Sequence, residues 1–297
     1  MIKLECVATF LAVAKCGSFR EAAKCIGISQ SAVTQHVKRL EESLGVSLIV
    51  RNNAGSKLTA EGCTFLPYAE NLIRTHDQAS AVFKKNSVVI GASSNTGIYL
   101  LPPYLKAYES VSTDKLDVVI TSNPAIVDKL QKLEVDVALM EWWDDRPGFV
   151  SSAWRSEDLV LIVPPNHPWA GRRSVPADWL KGRQLLGGEA GSGTGHLLQR
   201  HFGAEARMIG VSMQLGSTEA VKHAVQAGLG ISLVMAAAVT REAQSGLLSA
   251  ITLEGKPMRK VLYVVRRDYN GAHSARSARF ADFLLKPRPP ANAGLPS

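Results

Sequence analysis

Apolar residues recur along the first 45 positions at the roughly 3.6-residue period of an α-helix, with polar residues filling the opposite faces. Leu4, Val7, Phe10, Leu11 and Ala14 predict a first helix that Gly17 ends. Ser18-Phe19-Arg20-Glu21 then fits a capping box, in which a serine hydroxyl and a glutamate carboxylate satisfy the free amides of a helix start. Ala22 and Ala23 are small enough for a close helix crossing, and Gly27 permits the left-handed turn between helices. Ser29 caps a third helix, whose inward stripe is Val33, Val37, Leu40 and Leu44. Its other face carries Gln30, Ser31, Thr34, Gln35 and Lys38. This is the layout of a helix-turn-helix, whose second helix lies in the DNA major groove.

Glutamine pairs with adenine, serine and threonine serve base or phosphate, and Lys38 and Arg39 can neutralise phosphates. A β-rich run, Val46 to Arg51, is followed by turn residues Asn52 to Ser56 and a return at Lys57-Leu58. It reads as a wing, with Arg51 and Lys57 as backbone contacts. From Thr59 to about Lys85 the helical period returns. Phe65, Ala69, Leu72, His76, Ala79 and Phe83 alternate at four- and three-residue steps, a short heptad seam that predicts a homodimer.

Beyond residue 87 the pattern switches to strands alternating with helices. Val88–Gly97 reads as a buried strand and polar loop, leading to a helix from Leu100. Leu116–Thr121 and Val135–Glu141 read as further strands, with a helix over 124–133 between them. Leu159–Val163 and Leu262–Val265 read as strands crossing between two lobes. Ligands in such sheets sit beyond strand carboxyl ends, against helix N-termini. Four segments meet that description: Ser93-Ser94-Asn95-Thr96, Thr121-Ser122-Asn123, Ser192-Gly193-Thr194 and Gly216-Ser217-Thr218. Hydroxyls and free amides with no carboxylate beside them suit an anion; the same residues also serve as ordinary helix caps. Trp142-Trp143 follows the third strand and fits a cleft wall or a packed core equally.

Charge sharpens this division. Residues 1–60 hold eight Lys and Arg against four Glu, and residues 255–297 hold nine against two, within a net charge of +8. A basic N-terminal end suits a phosphate binder. The 46% apolar content and the lack of an 18-residue apolar run predict a globular protein away from membranes. The opening residues lack an export signal, so the cytoplasm is expected. Cys6, Cys16, Cys25 and Cys63 match no zinc spacing and read as small apolar residues; a redox role falls first on Cys25.

Catalytic motifs fail. Gly188 to Gly193 has the outer spacing of a phosphate loop, but Thr194-Gly195 replaces its Lys-Ser/Thr pair. Gly191 to His196 lacks the third glycine of a dinucleotide fingerprint, and Ser192 is not in a nucleophile elbow. His196 and His201 are five apart, off one helix face. No enzyme, metal or cofactor is expected.

The chain resembles LysR-type transcriptional regulators through nearly its whole length. The matching residues are Phe10-Leu-Ala-Val-Ala, Gly17-Ser-Phe, Ala22-Ala23, Ile26, Ser29-Gln30-Ser31-Ala32-Val33-Thr34, Leu40-Glu41, Leu44-Gly45, Leu48, Arg51 and Leu58-Thr59. Ser31, Ile49 and Ala54 stand where that pattern usually has proline, phenylalanine and a basic residue. Glu189-Ala-Gly-Ser-Gly-Thr194, Leu215-Gly-Ser-Thr-Glu-Ala220 and Ala227-Gly-Leu-Gly-Ile-Ser232 resemble its regulators of carbon fixation and sulfur metabolism. The resemblance implies an α/β chain: a winged helix-turn-helix over 1–58, a linker or dimerisation helix over 59–87, and an effector domain over 88–297. That last domain is similar to periplasmic solute-binding proteins, with mainly parallel sheets in lobe I (88–163 and 266–297) and lobe II (164–265). The DNA-reading set is then Gln30, Ser31, Thr34, Gln35, Lys38, Arg39, Arg51 and Lys57. The effector set is Ser93, Ser94, Asn95, Thr96, Thr121, Ser122, Ser192, Thr194 and Ser217. Implied partners are double-stranded promoter DNA, a small anionic effector, a second copy or a tetramer of this chain, and RNA polymerase.

Overall fold

The computed structural model describes residues 1–52, 55–82, 87–189, 193–255, 257–268 and 272–286. The chain divides into two compact units, Met1–Lys85 and Asn86–Ser297.

The first unit holds helices α1 (Leu4–Cys16), α2 (Phe19–Ile26) and α3 (Gln30–Leu44), the hairpin β1 (Ile49–Asn52) and β2 (Gly55–Leu58), and helix α4 (Ala60–Val82). Gly17, Gly27 and Gly45 end the three helices, and each lies in the left-handed region that an L side chain resists. Ser29 Oγ caps α3 by accepting from Ala32 N at 3.1 Å. Ser18 Oγ caps α2, accepting from Glu21 N at 3.5 Å. The Glu21 carboxylate accepts instead from Lys24 Nζ at 2.9 Å, which holds its pKa below the usual carboxylate range. Val13, Phe19, Ala22, Ala23, Val33 and Val37 form one core; Cys6, Val7, Phe10, Leu40, Leu48 and Ala69 form a second.

The wing strand begins at Ile49, later than the Val46 expected, because Glu41 Oε1 accepts from Leu48 N (2.7 Å) and Ile49 N (3.1 Å). The hairpin docks where two glycines meet. Ser56 N donates to Gly17 O at 2.9 Å, and a Cβ on Gly55 would lie 2.8 Å from that same oxygen.

The heptad seam of α4 divides. Phe65 stacks on Phe10 with ring centroids 5.5 Å apart, and Ala69 is buried, so both pack inside the unit. Leu72, His76 and Ala79 stay exposed, while Phe83 lies outside the described residues.

The second unit runs β3 (Ser87–Ser93), α5 (Leu101–Glu109), β4 (Lys115–Thr121), α6 (Asn123–Gln131), β5 (Val137–Met140), β6 (Phe149–Val163), β7 (Ser174–Val175) and β8 (Gln184–Gly187). It continues with α7 (Thr194–Phe202), β9 (Gly210–Gln214), α8 (Thr218–Gln226), β10 (Ser232–Met235), α9 (Thr240–Gln244), β11 (Ser249–Leu253), β12 (Arg259–Arg267) and α10 (Ala272–Leu285). The main sheet has the order β4-β3-β5-β12-β6-β11-β7, with β10 also on β6; β8 and β9 pair separately. The sheets are mixed. β4, β3 and β5 are parallel, as are β8 and β9, whereas β12 and β6 run antiparallel to their neighbours.

The two crossing strands are longer than their apolar runs. β6 starts at Phe149 and β12 at Arg259, because the residues ahead of their apolar runs are mostly half-buried or exposed and so carry no continuous apolar signal. Their lobe I ends pack with β3–β5 and α10, around Val88, Ile90, Leu101, Tyr108, Val264 and Phe280. β6 then enters lobe II, where Leu159, Leu161 and Val163 join Leu185, Leu233 and Ile251.

Candidate DNA interface and effector cleft

On α3, Gln30, Ser31, Gln35, Lys38 and Arg39 are exposed, and Thr34 is half-buried. Ser31 Oγ lies 2.8 Å from the capping Ser29 Oγ, so its orientation is tied to the helix start. Thr34 Oγ1 donates back to Gln30 O at 3.0 Å, which ties its rotamer to the helix backbone. Lys38 makes only a long 3.7 Å pair with Glu42, both side chains more than half exposed. Such a pair contributes little, so the ammonium is available to a phosphate. Lys57 is exposed on β2; the Arg51 side chain lies outside the described residues.

In the second unit the predicted polar segments behave differently from one another. Ser122 and Ser217 are helix caps: each Oγ accepts from the amide three residues on, Ala125 N at 3.3 Å and Ala220 N at 3.1 Å. Thr121 ends β4 beside the first of these caps. Ser192 lies outside the described residues. The Ser93–Thr96 stretch is not a loop. It winds directly into a wide helical turn over Thr96–Leu100, with Leu101 N reaching back to Thr96 O. Pro102 and Pro103 follow and have no N–H to give, so the ordinary α register cannot start any earlier.

That turn points its polar groups at lobe II. Ser94 Oγ donates to Glu189 Oε1 (3.0 Å), Thr218 Oγ1 to Asn95 Oδ1 (2.6 Å) and Tyr99 OH to Glu219 Oε1 (2.6 Å). Ser93 is fully buried and donates to Thr96 Oγ1 at 2.9 Å, bracing the turn from behind. Beneath it lies a buried pair: Lys260 Nζ reaches Glu141 Oε2 at 2.6 Å and Thr194 Oγ1 at 3.5 Å. Asn95 Nδ2 donates to the other Glu141 oxygen at 3.1 Å, and Asn123 Oδ1 receives Glu141 N at 2.8 Å.

Asn95, Glu189, Thr194, Gln214, Thr218 and Lys260, among others, line a cavity of about 280 Å³ between the lobes. Of the nine predicted effector residues, Asn95 and Thr194 line it. Ser93 and Ser94 support it from the turn. Thr218 belongs to the predicted Gly216–Thr218 segment; Glu141, Glu189, Gln214 and Lys260 were not foreseen. Lys260 carried the one readable signal, a lysine beside an apolar crossing strand.

The expectation of a site without carboxylates is corrected. Glu189 lines it from lobe II, and Glu141, just past β5, is buried beneath it against Lys260. Burial pushes the Glu189 carboxyl above the usual carboxylate range; the Ser94 hydrogen bond opposes this and the Glu141 charge adds to it. Glu189 Oε2 is buried without a hydrogen-bond partner among the described residues. Such an atom is costly to leave unpaired. Behind Tyr99, Lys222 is buried against Glu219 (2.7 Å), Glu242 (2.5 Å) and Ala238 O (3.0 Å).

A winged helix in one unit and a two-lobed polar cleft in the other define a class: regulators that bind DNA and answer to a small molecule. A model described as LysR substrate binding domain matches residues 84–287, and one described as bacterial regulatory helix-turn-helix protein, lysR family, matches residues 4–63. The chain belongs to the LysR family of transcriptional regulators, which are not enzymes. It is 39% identical over 188 residues to the HTH-type transcriptional regulator PtxE of Stutzerimonas stutzeri, covering 63% of this chain and 96% of the relative. It is 29% identical over 293 residues to the RuBisCO operon transcriptional regulator of Allochromatium vinosum, covering 96% of each. CbbR of Xanthobacter flavus is 33% identical over 266 residues, 85% of this chain and 78% of that one. Among solved structures, CbnR, a LysR family regulator, shares the fold with a TM-score of 0.65 at 19% identity, covering 96% of this chain and all of that one. No helix among the described residues is long and apolar enough to cross a membrane.

Proposed function

We propose that this regulator reads a promoter site through Gln30, Ser31, Thr34 and Gln35, with Lys38, Arg39, Arg51 and Lys57 on the phosphates. Its effector is a small oxyanion that also bears an O–H or N–H donor. The observation that carries this reading is the polarity of the cleft: Lys260 Nζ and Thr194 Oγ1 lie near one another, and Glu189 Oε2 has no partner among the described residues. The ammonium and the hydroxyls suit the oxyanion's acceptor oxygens, and the unpaired carboxylate oxygen suits its donor. A fully ionised anion with no hydrogen to give would leave Glu189 facing like charge. Exposed Leu72 and Tyr68 on α4 support a homodimer that sets two recognition helices on two-fold related half-sites, with a tetramer as a further assembly. The relatives' names favour an operon of carbon fixation as target, with RNA polymerase as a further contact, in the cytoplasm.

Calorimetry on the full chain with bicarbonate, hydrogen phosphate, sulfate and small hydroxy acids tests the effector. Binding of a hydrogen-bearing anion that Glu189→Gln weakens is the expected outcome. Tight binding of sulfate, unaffected by that change, would sink the reading.

A further inference from the structure

Two thiols in the DNA-binding unit take no part in the proposed readout. Only Cys6 fits the expectation of a buried apolar residue; Cys16 is half-buried, and Cys25 and Cys63 are exposed. Cys16 is the last residue of α1 and Cys25 the penultimate residue of α2. Their sulfurs lie 3.5 Å apart, the Cys16 S–H donating toward Cys25 Sγ. We propose that Cys16 and Cys25 form an oxidisable dithiol that a hydroperoxide closes to a disulfide, and that this closure weakens DNA binding.

The chemistry assigns the two thiols different parts. Cys25 is exposed and reaches the oxidant. Cys16 is held as a donor by Cys25 and is partly buried, both of which raise its pKa, so it resolves rather than attacks first. The Cys25 thiolate attacks the peroxide O–O bond, forming a sulfenic acid and releasing water or an alcohol once the leaving oxygen takes a proton. Cys16 sulfur then attacks Cys25 sulfur: the S–S bond forms, the S–O bond breaks, and the departing hydroxide leaves as water with the Cys16 proton. The two thiols lose two electrons and two protons, and the hydroperoxide is reduced by the same two electrons. A thiol reductant reverses the modification.

The consequence follows from where Cys16 sits. A disulfide needs the sulfurs about 1.5 Å closer than their present 3.5 Å. Cys16 packs on the core that Ala22, Ala23, Val33 and Val37 share, with Ile28 alongside, so the pull is felt at the joint from which α3 departs. The next residue, Gly17, is the one whose carbonyl anchors the wing through Ser56 N at 2.9 Å. One bond therefore displaces the two elements on which DNA reading depends.

The test treats the full-length reduced protein with hydrogen peroxide and maps its peptides without reduction. Proteolysis at Arg20 and Lys24 separates the two cysteines, so a linked pair is diagnostic. A Cys16–Cys25 linked peptide two hydrogens lighter is expected, absent in Cys25→Ser and retained in Cys6→Ser/Cys63→Ser. Affinity for a duplex selected from random sequence by the reduced protein should fall roughly tenfold on oxidation and return with dithiothreitol. Cys25→Ser should keep the reduced protein's affinity before and after peroxide. Over-oxidation of Cys25 alone, a bridge only between chains, or an intramolecular bridge that leaves affinity within twofold would each overturn the proposal.

Discussion

The face of α3 and the interlobe cleft use polar side chains in opposite ways. Gln30, Gln35, Lys38 and Arg39 project into solvent with few commitments, held in place by caps and an apolar stripe behind them. In the cleft, Ser94, Asn95, Thr194 and Thr218 are already bonded, to Glu189, Glu141, Lys260 and one another across the lobes. On the proposed reading, DNA meets a surface that is ready, whereas an effector must exchange bonds that the protein already makes. The difference suits a sensor: a ligand that replaces interlobe bonds changes the relative placement of the lobes, which is how a binding event shifts a population.

Substitutions that separate the two styles should differ in size. The largest effect belongs to Lys260→Met, which leaves Glu141 buried without its cation. A loss of about 3–5 kcal/mol is expected in the effector-unit transition of a urea titration. The double change with Glu141→Leu should recover most of it; an unchanged single variant would mean that the pair carries no stability. Glu41→Ala removes the acceptor of two partly buried amides, and about 2 kcal/mol should vanish from the DNA-binding unit alone. Loss from the other unit instead would contradict that placement.

On the readout face, Gln30→Ala should reduce discrimination between selected and random duplexes by about 1–3 kcal/mol. Lys38→Ala should weaken both equally and lower the salt slope by about one. Equal losses on both duplexes for Gln30→Ala would break the contrast between reading and anchoring. The smallest effect is a pH dependence. Glu189 has a raised folded-state pKa, so its proton binds more tightly in the folded chain. Its stabilising contribution is complete below the unfolded pKa of about 4.3 and is lost as pH rises through the folded value. The melting temperature of the native chain minus that of Glu189→Gln should therefore fall from pH 4 upward. A flat difference would remove burial as the cause.

The same contrast explains what was legible in the sequence. The DNA-binding unit is written in local signals: Ser18 and Ser29 act on amides three residues away, Gly17 and Gly27 end helices, and Val33, Val37 and Leu40 fall on one face. The cleft is assembled from distant segments. Glu141 meets Lys260 and Asn95 meets Thr218 only because strand order brings them together, and nothing near any of these residues announces its partner. Ser122 and Ser217 read both as ligand groups and as caps, because a helix cap and an anion site use the same residue at the same place; the structure shows their capping bonds. The heptad seam divides for a related reason. A seven-residue spacing does not say whether the covering helix comes from the same chain, and α1 covers Phe65 and Ala69.

The long crossing strands also bear on how the protein is made. Lobe I is begun by β3 but completed by β12 and α10, which arrive more than a hundred residues later in synthesis. Until then Val88, Ile90, Leu101 and Tyr108 lack Val264 and Phe280, their partners in the core. The ribosome thus releases a DNA-binding head well before a competent sensor. Premature termination would yield a reader with an unfinished lobe, prone to aggregation through the exposed flank of β5.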